Sequence, residues 1–65
     1  MSLAKNIKKY RSNAGMSQDK LSKLANVTLH AVAKIESGAT PDPRVSTVKK
    51  IADALGCTVD ELLKI

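Results

Sequence analysis

Apolar positions recur at helical spacing in five short blocks of the 65 residues, and no block alternates as a strand would. Leu3, Ile7, Ala14 and either Tyr10 or Arg11 form the first stripe, with Lys5, Lys8 and Lys9 off it, which predicts a helix from about Leu3 to Asn13. Gly15 stands just past that end, where glycine commonly stops a helix. Ser17 reads as the N-cap of a second helix with Leu21, Leu24 and Ala25 on one face. Lys20 stands where a capping box carries Glu or Gln, so only half of that device is present. This helix ends at about Ala25, and Asn26 suits the left-handed conformation that turns a chain after a helix.

Thr28 caps a third helix, over about 28–37, whose stripe is Val32 and Ile35 with Leu29 or Ala31 beside it; Gly38 ends it. The stretch SGATPDPR is a loop. Asp42-Pro43 predicts an N-cap followed by proline at the first helical position. The fourth helix carries Val45, Val48, Ile51, Ala52 and Leu55 and stops at Gly56. Thr58 to Glu61, TVDE, is a full capping box opening a fifth helix with Val59, Leu62 and Leu63 apolar. Leu62 and Leu63 are adjacent, so they cannot easily both face inward. The expected fold is a compact all-α, five-helix domain spanning 1–65.

The junction between the second and third helices is the most informative. Only Asn26 and Val27 precede the capping Thr28. A turn this short, with one left-handed residue, crosses two helices steeply, as in a helix-turn-helix. Ser22 is small where the pair comes closest, and Val32 is β-branched and apolar where the third helix packs back on the second.

Composition sharpens this picture. The chain is 43% hydrophobic yet has one Tyr, no Phe and no Trp, so its core is aliphatic. A single cysteine cannot form an internal disulfide, which points to the cytoplasm, and Cys57 reads as a core residue. No apolar run approaches the roughly 20 residues of a membrane span. Lys5, Lys8 and Lys9 interrupt any signal-peptide core. The net charge of +5 points to a polyanionic partner. Membrane-surface binding fits poorly, because no helix pairs a lysine face with bulky aromatics.

Candidate chemistry is sparse. His30 is the one histidine and has no Cys, His or Asp at metal-ligand spacing, so neither a metal nor a cofactor is expected. No Ser-His-Asp set, glycine-rich phosphate loop or carboxylate pair points to an enzyme.

Three stretches resemble the phage repressor and Cro-like helix-turn-helix domains. GMSQDKLS looks like the Gly-Leu-Ser-Gln-x-x-Leu-Ala opening of that family, and VTLHAVAKIESG looks like Val-Ser-x-x-x-Ile-x-x-Ile-Glu-x-Gly. TVKKIADALGCTVDELL is similar to the family's fourth and fifth helices. The resemblance covers about Ile7 to Leu63. It implies a λ-repressor-like fold whose third helix enters the major groove of double-stranded DNA while the second lies across the backbone.

On that resemblance, Ser17 and Gln18 meet phosphate at the N-terminus of the second helix, and Lys20 and Lys23 lie near the backbone. Thr28, Leu29, His30, Ala33 and Lys34 match the outward positions of the recognition helix. Thr28 is assigned to the backbone, Lys34 to guanine O6 or N7, His30 to a base edge or phosphate, and Leu29 to a thymine methyl. Ala31 and Ala33 depart from the polar residues the family often has there, which shifts affinity toward phosphates and salt dependence. In the following loop Asp42 repels phosphate, and Arg44 either reaches it or is simply solvated. Lys49 and Lys50 read as solvated. Arg11 and Glu36 match a structural ion pair that ties the first helix to the end of the third.

In the fifth-helix region, ELLKI, Leu62 and Leu63 compete for the inner face and Ile65 is left over; this region often forms a two-fold contact in the family, so a homodimer through the fifth helix is expected, with the charged Glu61 and Lys64 against it. No small-molecule effector is expected. The rival reading is a protein-interaction module, such as an antitoxin-like partner, with weak or no DNA binding. The alanines of the third helix and Asp42 motivate it.

Overall fold

A computed structural model of the protein describes residues 3–63. Among them are five helices and no strand: α1 (Leu3–Asn13), α2 (Gln18–Ala25), α3 (Leu29–Ser37), α4 (Val45–Leu55) and α5 (Val59–Leu63). None is long and apolar enough to cross a membrane.

The core is aliphatic. Ile7 of α1, Leu21 and Ala25 of α2, Val32 and Ile35 of α3, Val48, Ile51 and Ala52 of α4, and Leu62 of α5 are all buried. Helix α2 packs on α3 and α4, while α1 spans α3, α4 and α5. Every helix therefore contributes to one cluster, which a chain this short needs.

Local chemistry sets the helix ends. Ser17 Oγ accepts the Lys20 amide at 3.0 Å, and Thr28 Oγ1 accepts the Ala31 amide at 3.0 Å. Thr58 and Glu61 bond reciprocally, each accepting the other's backbone N–H, at 3.0 and 2.9 Å. Asn26 has φ 56° and ψ 44°, which turns the chain between α2 and α3. Its N–H donates to Lys23 O, and that of Val27 to Ser22 O. The Ser22 hydroxyl is buried but donates to Asp19 O at 2.7 Å, so a polar atom sits at the close approach of α2 without cost from an empty bond.

Several sequence expectations shift. Helix α4 begins at Val45, with Arg44 as N-cap and no side-chain cap, not at Asp42-Pro43. The reason is tertiary. Half-buried Pro43 lines an apolar groove with Leu3, Val48, Val59 and Leu63, so the loop stays extended through Arg44 (φ −61°, ψ 145°). Val45 then falls in the first turn, beyond the core, and is 76% exposed. Leu24 is 55% exposed, because the buried arc of α2 runs through Leu21, Ser22 and Ala25. Ala14 lies past the end of α1 and is exposed. Cys57 is half-buried against the core, not enclosed in it, and burial followed by the charge of Glu61 pushes its thiol up. Tyr10 and Arg11 share the edge of the α1 stripe, both half-buried. Of the adjacent leucines, Leu62 is buried and Leu63 is 43% exposed. Lys64 and Ile65 lie outside the described residues.

Candidate nucleic-acid interface

Two helix N-termini, those of α2 and α3, follow a turn or a short connection and carry a hydroxyl cap each. The first amides of a helix have no carbonyl one turn back to bond, so they retain donors. Next to the α2 cap lie Gln18, half-buried, and Asp19, exposed. Lys23 is exposed and reaches Asp19 at 3.2 Å, one turn away on α2. A pair this open is worth little and leaves the ammonium available.

Helix α3 divides cleanly. Val32, Ile35 and Glu36 are buried, whereas Leu29, His30 and Lys34 are exposed. Thr28, the cap, is exposed too. Ala33 is half-buried, so it borders the open face and does not stand on it. At the C-terminal end, Lys34 O accepts both the Ser37 hydroxyl at 3.0 Å and the Thr40 amide at 3.2 Å, which anchors the loop that leads to Arg44. Arg44 is exposed at the start of α4.

Behind this face lies a polar network. Arg11 Nε donates to Glu36 Oε2 at 2.7 Å and Nη2 donates to Oε1 at 3.0 Å, a two-point pair. Arg11 Nη1 donates to Met16 O at 2.7 Å. Gln18 Nε2 donates to Glu36 Oε1 at 3.1 Å. The Glu36 side chain is 1% exposed and that of Arg11 15%. The bond to Glu36 raises the Arg11 guanidinium above its already high ordinary value, against the effect of burial. No buried side-chain N or O among the described residues lacks a partner.

The sequence pairs Arg11 with Glu36 but gives no sign that Gln18 and Met16 join them: the family resemblance assigns Gln18 to phosphate, and nothing local marks Glu36, eighteen residues on, as its partner. A backbone carbonyl such as that of Met16 leaves no sequence signal at all.

The described residues hold no group of three or more His, Cys, Asp or Glu placed to bind a metal ion. A family model described as helix-turn-helix matches residues 7–62. The chain belongs to the helix-turn-helix family. Within it the match is to the repressor/Cro type, a family of DNA-binding domains. The helix-turn-helix is formed by α2, the Asn26 turn and α3. No curated protein matches the chain.

Proposed function

We propose that this helix-turn-helix protein is a transcriptional regulator that places α3 in the major groove of double-stranded DNA. The observation that carries this is the division of α3: one arc is wholly buried against α1 and α2, and the other presents Leu29, His30 and Lys34 to solvent. The N-cap Ser17 and Gln18 and Lys23 of α2, with Thr28, contact phosphates. Lys34 and His30 read base edges, Leu29 meets a thymine methyl, and Arg44 reaches the backbone beyond the groove. Ala33 contributes close approach only. Few side chains on α3 can form hydrogen bonds to bases, so phosphate contacts supply much of the affinity and make it steeply salt-dependent.

A homodimer fits this function. Leu63 and Val45 are exposed apolar residues that line a groove together with Leu3, Pro41 and Pro43. Pairing through α5 and this groove covers them, and a two-fold dimer reads half-sites about one turn, roughly 34 Å, apart.

Selection of a random duplex library, at two salt concentrations, tests the proposal. An enriched inverted repeat supports a dimeric regulator. Absence of binding at low salt sinks it. A protein partner is then favoured, on the exposed Leu24 and Leu29 that flank the turn.

A further inference from the structure

We infer that Glu36 is a positioning residue of the DNA-binding face, setting which way the Gln18 carboxamide points. This rests on the DNA-binding reading above. An ionised carboxylate only accepts hydrogen bonds. Glu36 Oε1 takes one from Arg11 Nη2 and one from Gln18 Nε2, and Oε2 takes the third from Arg11 Nε. Turning the Gln18 amide over would set its carbonyl oxygen against Glu36 Oε1 at the present 3.1 Å, acceptor facing acceptor. The NH2 group therefore stays on the Glu36 side, and its second N–H is held in one place.

The same pair also grips the backbone. Arg11 Nη1 holds Met16 O at 2.7 Å, so the two residues flanking the capping Ser17 are both tied to one ion pair. A glutamine free to rotate would offer a phosphate its carbonyl oxygen in some orientations. Here the carboxylate fixes the donor, and phosphate binding at the start of α2 meets a preset amide.

Gln18 is the chain's one glutamine, so its side-chain N–H pair is assigned by nuclear magnetic resonance through correlation to its γ-carbon, apart from those of Asn6, Asn13 and Asn26. In the free wild-type protein, one of its two N–H protons should exchange slowly with solvent, and the other should shift on adding a 20-base-pair duplex. Equal, fast exchange of both overturns the inference. Fluorescence anisotropy with the same duplex then compares wild type, Gln18→Ala, Glu36→Gln and the double variant, at a temperature where circular dichroism shows all four folded. Gln18→Ala should weaken binding about fivefold, the effect of one hydrogen bond, without changing the salt slope, since no charge is lost. In the Glu36→Gln background the further loss should be clearly smaller, since a freed amide presents its donor only part of the time. Equal losses in both backgrounds, or no loss in the wild-type background, overturn the inference. If Glu36→Gln does not fold, the exchange measurement on the wild type decides. If the wild type binds no duplex while one Gln18 N–H still exchanges slowly, the orientation stands, but the DNA reading and the role given to Glu36 in it both fall.

Discussion

Asn6 Nδ2 on α1 donates to the backbone oxygen of Leu62 on α5 at 2.7 Å, joining residues 56 apart in the chain. Helix α5 has five residues and Leu62 as its one buried side chain, so it has little packing of its own to hold it. Asn6→Ala removes the donor and leaves the carbonyl without it. The expected loss is about 1–2 kcal/mol of stability. Urea unfolding checks it: the midpoint falls with the slope unchanged. An unaltered midpoint contradicts it.

The Arg11–Glu36 pair predicts an asymmetry. Arg11→Met leaves a fully enclosed carboxylate without its cation and should cost about 3–5 kcal/mol. Glu36→Met leaves a guanidinium that can still reach water, so its cost should be smaller. The double variant Arg11→Met/Glu36→Met should be more stable than Arg11→Met alone. Chemical unfolding of the three variants tests the order, and equal losses in the two single variants contradict it.

Tyr10 and Cys57 give a pH prediction. Burial raises both, ahead of the charge of Glu61, above ordinary values of 10.0 and 9.0. For an acid whose folded value is raised, the unfolded chain ionises first. The stabilisation is complete below pH 9 and is lost as pH climbs through the folded value. Stability should therefore fall on the alkaline side, and less steeply in Cys57→Ala and Tyr10→Phe. An identical decline in wild type and both variants refutes this assignment.

On DNA, Lys34→Ala should cost about 1–3 kcal/mol on the preferred duplex and relax preference at one base pair. Lys23→Ala should weaken all duplexes alike and reduce the salt slope by about 1. Competition anisotropy with single-base variants separates the two. Sequence-independent loss in Lys34→Ala moves that residue to the backbone.

Leu63→Glu should leave the monomer folded and abolish self-association, read by sedimentation. If association persists unchanged in Leu63→Glu, α5 is not the contact.

Much of the fold was legible because its signals are local. Ser17, Thr28 and the Thr58–Glu61 box cap helices through bonds spanning three residues, and Asn26 turns the chain by its own conformation. The start of α4 was not legible: Asp42-Pro43 has the right local chemistry, but half-buried Pro43 forms one wall of a groove with residues of α1, α4 and α5. Leu24 and Val45 fit a helical period yet lie outside the buried arc, since period alone does not locate the neighbouring helix. At the interface, residue types on α3 were readable, whereas Gln18 bonding to Glu36 and Asn6 to Leu62 depend on how helices pack.

The most direct test is a backbone amide titration of the isotope-labelled protein with the selected duplex. Engagement of DNA by α3 predicts the largest shifts at Gln18, at Thr28 to Lys34 and at Arg44, with none at the core-facing Ile51. Shifts confined to α5 and the Pro41–Pro43 loop, with α3 silent, contradict it.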